Sequence, residues 1–108
     1  MAEEVIEGYV HIRPELARDK ELFALKVRGD SMIRAGILEG DTVVLEKTAA
    51  VEDGEIAAVW LEDAATVKRI YREKGGVRLQ PENPAYEPIF AKDCLILGRV
   101  VALVRSYE

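Results

Sequence analysis

The stretch ATVKRIYREKGGVRLQ, Ala65 to Gln80, sets the fold class of this chain. Its first part is a strand pattern, in which successive side chains point to opposite faces. Thr66, Lys68 and Ile70 therefore share one face, and Val67, Arg69 and Tyr71 the other. The segment EKGG, Glu73 to Gly76, follows, and its paired glycines supply the positive φ that a hairpin turn needs. A second strand then runs from Val77 to Gln80, so the two strands are expected to be antiparallel neighbours.

Working outward, the same rhythm repeats: short apolar blocks separated by Gly, Pro and Asp. Leu22 to Val27 reads as a strand with Phe23, Leu25 and Val27 on one face, and Thr42 to Glu46, Glu55 to Leu61 and Leu95 to Arg105 read as further strands. The segment PENPAYEP, Pro81 to Pro88, contains three prolines, which remove ladder donors and make it a rigid connection rather than a strand. The only helical signal is brief: Ser31 to Ala35, closed by Gly36, with Asp30 or Ser31 available to cap it. The expectation is a mostly β, single compact domain of antiparallel strands, residues 1–108, with at most one or two short helical turns.

Composition narrows the function. At 108 residues and 49% hydrophobic content, the chain can bury a core without metal or disulfide staples. Its 15 Lys and Arg are scattered among 20 Asp and Glu, a net charge of -5, which argues against nucleic-acid binding by these residues themselves. No apolar run approaches the roughly 18 residues of a membrane helix, and the acidic start MAEEVIEG is unlike a signal peptide. A soluble, cytoplasmic protein with no membrane partner is expected. The single Cys94 reads as core filler and the single His11 as a surface residue; neither belongs to a cluster with metal-ligand spacing, so no cofactor or metal is called for.

Two residues stand out chemically. Ser31, after Gly29 and Asp30 at the start of the short helical turn, reads either as a turn former or as a nucleophile. A serine hydroxyl needs a neighbouring base. His11 offers no support for a histidine triad, and a lysine serves only if burial keeps it neutral near pH 7. Lys20, Lys26, Lys47, Lys74 and Lys92 lie in turns or on outward faces, whereas Lys68 lies mid-strand, either as an exposed strand lysine or as the buried base. Thr66, two residues earlier on the same face, is placed to orient its amine, and the backbone N–H groups of Asp30 and Ser31 are placed to stabilise an acyl oxyanion. A Ser-Lys hydrolase is physically coherent on these grounds.

In order along the chain, VRGDSM, GILEGDTVVL, TVKRI, LQPENPAYEPI and GRVVALVR together resemble the C-terminal domain of LexA repressors, from Ile6 to Arg105. The resemblance implies a LexA/signal-peptidase-like β fold in a transcriptional repressor of DNA-damage (SOS) genes, which cuts its own chain at an Ala-Gly bond when stimulated by RecA filaments on single-stranded DNA. By position it makes Ser31 the nucleophile and Lys68 the general base, gives Asp30 and Ser31 the oxyanion hole, and gives Thr66 a supporting role. It also implies a homodimer through the C-terminal strand, Leu97 to Val104, and operator binding through an N-terminal winged helix-turn-helix domain. Neither that domain nor the Ala-Gly site lies in this sequence, so the expectation is a fragment that keeps the catalytic groups without a bond of its own to cut. Two alternatives stand beside this one: a UmuD-like self-cleaving accessory of a translesion polymerase, and a dimerisation module whose Ser31 and Lys68 are idle.

Overall fold

The computed structural model describes residues 4–6 and 20–107. His11 and the first part of the LexA-like stretch after Ile6 therefore lie outside the described residues. Among the described residues, eight strands form one sheet: β1 (Glu4–Ile6), β2 (Leu22–Val27), β3 (Thr42–Glu46), β4 (Ile56–Leu61), β5 (Ala64–Glu73), β6 (Gly76–Gln80), β7 (Ile89–Ala91) and β8 (Leu95–Val104). Their spatial order is β1-β2-β3-β8-β4-β5-β6-β7, with every neighbouring pair antiparallel. The mostly β, antiparallel expectation holds. No helix among the described residues is long and apolar enough to cross a membrane.

The last strand is the hinge of this sheet. β4 pairs with its first half, from Leu95 to Arg99, and β3 with its second, from Arg99 to Val104. A register shift interrupts each ladder, between Ala58 and Val59 on one side and between Val44 and Leu45 on the other. Such irregularities bend a strand and increase its twist, which separates the core into two parts. Leu25, Val43, Leu45 and Val67 belong to one cluster, and Val59, Ile70 and Leu79 to the other. β5 contributes to both, because its middle is covered on both faces: Val67 is 1% exposed and Lys68 4%.

The β5–β6 hairpin forms as expected, Glu73 opposite Gly76, but the glycines divide the labour. Gly75 alone takes a positive φ, 84°, while Gly76 is needed for space, since a Cβ there would run into the Ala91 carbonyl oxygen. The tight turn between β4 and β5 carries no glycine. Glu62 and Asp63 adopt φ of 53° and 66°, the left-handed pair that matches the twist of a two-residue hairpin.

The short helix needs correction. It is a single 3-10 turn, Ile33–Ala35, whose N-cap position is Met32, and no side chain caps it. The Asp30 carbonyl accepts from the Ile33 N–H, and the Asp30 carboxylate is engaged elsewhere, so neither Asp30 nor Ser31 is a side-chain cap. Gly36 does close the turn in the left-handed region, φ 81°.

Candidate active site

Ser31 sits in the loop between β2 and β3, and Thr66 and Lys68 lie on β5. All three are nearly closed off, at 5%, 7% and 4% exposure, although each has polar functional atoms. Buried polar groups persist only when they are hydrogen-bonded or carry a function that offsets their desolvation. The Lys68 Nζ donates to Thr66 Oγ1 at 2.6 Å, the i, i+2 relation that one strand face provides. A cavity of about 620 Å³ is lined by Ser31, Thr66 and Lys68 together with Leu61, Tyr86, Ile89 and Phe90, among others. The β2–β3 loop and β5, distant in sequence, thus bring the serine, the lysine and the threonine to one recess, whose rim includes the exposed apolar side chains Ile89 and Phe90. Asp30 is next in chain to Ser31, but its own side chain is exposed and does not line the recess.

The Ser31 loop is held at several points. Val27 N–H donates to the Asp41 carbonyl and Gly40 N–H to the Val27 carbonyl, which closes the loop at its base. Asp41, 2% exposed, accepts from Arg105 Nε and Nη2, both at 2.7 Å, and from the Leu38 N–H. The Arg105 hydrogen bond is the main reason the Asp41 carboxyl lies below its ordinary range, against the opposing effect of burial. Arg105 Nη2 also reaches the Gly36 carbonyl, tying the chain just after β8 to the end of the 3-10 turn. On the other side the segment 81–88 packs on the loop: Glu82 N–H donates to the Ser31 carbonyl, and Tyr86 Oη to Asp30 Oδ1 at 2.6 Å. The reading of this segment as a mere rigid connection missed those contacts. Its prolines signalled stiffness, but nothing local signalled which distant loop it would touch.

Cys94 is half-buried beside the second core cluster, and burial pushes its thiol above the ordinary value. The protonated thiol is a poor nucleophile. Among the described residues, no three His, Cys, Asp or Glu side chains converge to hold a metal ion.

The family model for Peptidase S24-like proteins matches residues 1–101. The chain belongs to the Peptidase S24-like family. Its relatives within that family include LexA repressors from several bacteria. The chain is 54% identical over 88 residues to the LexA repressor of Clostridium tetani, covering 82% of this chain and 44% of that protein. It is 48% identical over 109 aligned residues to the LexA repressor of Geobacillus kaustophilus, covering 99% and 53%. The LexA repressor of Desulforamulus reducens is 55% identical over 86 residues, covering 80% and 40%. The chain therefore spans about half the length of the relatives it matches. Membership in the Peptidase S24-like family, with this similarity to LexA repressors, agrees with the resemblance drawn from the sequence motifs.

Proposed function

We propose that this domain is the self-cleaving serine peptidase of a LexA-type SOS repressor, working by a Ser31–Lys68 dyad. The observation that carries the proposal is the burial of Ser31 and Lys68 at one recess, with the lysine amine directed onto Thr66. In this mechanism the neutral Lys68 amine takes the Ser31 hydroxyl proton as Oγ attacks the scissile carbonyl carbon. The carbonyl oxygen becomes an oxyanion, which the N–H groups of Asp30 and Ser31 stabilise. Lys68 then gives the proton to the leaving amine, and water, deprotonated in turn by Lys68, releases the acyl group. Thr66 holds the amine in line throughout. The substrate is an Ala-Gly segment of the repressor's own chain, and the apolar rim at Ile89 and Phe90 suits a mainly apolar segment.

The same reading assigns the wider partners. RecA filaments on single-stranded DNA stimulate cleavage, and operator DNA is bound by a separate N-terminal domain. A second copy pairs along β8. Among the described residues, no strand pairs with the second half of β8 on the flank opposite β3, and Leu103 and Val104 are exposed there. Sedimentation that stays monomeric up to high micromolar concentration would count against this interface.

The decisive experiment adds a separate peptide carrying the Ala-Gly segment to the folded domain. Cleavage is expected to vanish in Ser31→Ala and Lys68→Ala. Absence of cleavage by well-folded protein at about pH 9 to 10, where ordinary lysines begin to lose their protons, defeats the reading.

A further inference from the structure

The contacts between the proline-rich segment and the Ser31 loop fall on the two peptide units that flank Ser31. Asn83 Nδ2 donates to the Asp30 carbonyl oxygen at 2.9 Å, across 53 positions of sequence. Glu82 N–H donates to the Ser31 carbonyl oxygen at 2.8 Å, and the Glu82 carbonyl accepts from the Arg34 N–H at 2.9 Å. A peptide unit is planar, with its C=O and N–H pointing in opposite directions. The carbonyl of Asp30 and the N–H of Ser31 belong to one unit, so a donor that fixes the first also fixes the direction of the second. That carbonyl also accepts a longer, local hydrogen bond from the Ile33 N–H at 3.2 Å.

We propose that Asn83 is a positioning residue for the oxyanion hole: its side-chain amide sets the Asp30–Ser31 peptide plane and thereby aims the Ser31 N–H at the reacting carbonyl. The role rests on the peptidase reading above. The chemistry of asparagine suits it. Oδ1 accepts from the Ala85 N–H at 2.9 Å, which fixes the turn and leaves Nδ2 facing Asp30. Glu82 does the same for the next peptide unit through its backbone, so the torsions on both sides of the nucleophile are held by one stiff segment. Tyr86, by binding Asp30 Oδ1, holds the adjoining carboxylate in place.

Asn83→Asp separates the two functions of this side chain. The carboxylate keeps an acceptor for the Ala85 N–H and so keeps the turn, but it replaces the donor with an oxygen that repels the Asp30 carbonyl. With the Ala-Gly peptide supplied separately, kcat is expected to fall by roughly 10- to 100-fold while KM stays within about twofold, because an oxyanion donor acts on the transition state. Unchanged kcat overturns the proposal. The amide exchange rate of Ser31, followed by NMR, reads the peptide plane without substrate and is expected to rise roughly tenfold or more as local protection is lost. Should the wild-type domain cleave nothing, the peptidase reading falls by itself; Ser31 exchange then decides whether Asn83 sets the plane, and an unchanged rate overturns that too. Asn83→Ser, whose short hydroxyl also supports the turn without reaching Asp30, gives the same readouts if Asn83→Asp does not fold.

Discussion

Replacing Gly98 with alanine tests how the two halves of the sheet are joined. Gly98 lies in β8 opposite Ala58 of β4, beside the register shift, and it is buried. A Cβ there would stand 2.5 Å from the Glu46 carbonyl oxygen of β3 and 2.9 Å from Phe23 Cε1 of β2. Against ordinary contact at 3.4 Å, the shortfalls are about 0.9 Å and 0.5 Å. The phenyl ring can rotate away, but the carbonyl moves only with β3, whose Glu46 is paired with Arg99 in the ladder and through an ion pair at 2.6 Å. Overpacking of this kind costs about 1–3 kcal/mol, and the upper part of that range applies because backbone must yield. Urea unfolding of Gly98→Ala should show that loss at unchanged m-value. Phe23→Leu in the same background should recover less than about 1 kcal/mol of coupling energy, since it relieves only the ring contact. Gly54→Ala is the contrasting case: φ is 89° with open space around the added carbon, so its cost is conformational, about 1–2 kcal/mol, and no second-site change at a neighbour should relieve it. A Gly98→Ala domain that unfolds within about 0.5 kcal/mol of wild type, or full stability restored by Phe23→Leu, would show that the Glu46 carbonyl is no obstacle to a side chain at position 98.

Thr66→Val keeps the side-chain volume and removes the acceptor of the Lys68 amine. A hydrogen bond between neutral groups is worth about 0.5–1.5 kcal/mol, so peptide cleavage should slow by roughly 2- to 13-fold at 1.36 kcal/mol per tenfold, with the domain still folded by circular dichroism. Cleavage at the wild-type rate would remove Thr66 from the mechanism. For acid stability, the Asp41 carboxyl is held below its ordinary value mainly by Arg105. A depressed folded-state pKa means that the stabilisation is fully present above the unfolded value of about 3.9 and is lost as pH falls through the lower folded value. Asp41→Asn should therefore lower the urea midpoint at pH 7 and flatten its decline from about pH 5 downward; a decline parallel to wild type would show that other carboxylates, such as Glu46 beside Arg99, carry the acid sensitivity.

Strand periodicity identified β2 and β3 with their full bounds, overran β4 and β8 by one residue each, and recovered most of β5 and β6, because each is an apolar block flanked by turn residues. It passed over β7, whose three residues follow three prolines, and β1, too short for a pattern to repeat. The side-chain alternation of β5 put Thr66 and Lys68 on one face but left open whether that face was wet. The reason is physical: a strand covered on both sides has no solvent face, so period two no longer separates inside from outside. The helical turn begins two residues later than expected, at Ile33, and lacks the expected cap, since Asp30 is drawn to Tyr86, 56 positions away. Such partners are set by the curling of the sheet, which local patterns do not encode.

The loop that carries Ser31 gains its order from outside itself. Its base is closed by β2, its far end by Arg105 through Asp41 and Gly36, and its turn at Ser31 by Glu82, Asn83 and Tyr86. Ordering a backbone costs about 1–2 kcal/mol per residue, and here tertiary contacts that form on folding offset it before any substrate arrives. A hydroxyl and an N–H fixed in this way need no reorganisation when charge develops on a carbonyl oxygen. Under the proposed mechanism, control then falls to the placing of a scissile segment in the recess rather than to the assembly of the site. Substitutions on these three tethers should accordingly lower kcat when they disturb the turn at Ser31, whereas substitutions at Ile89 and Phe90 on the rim should act first on KM.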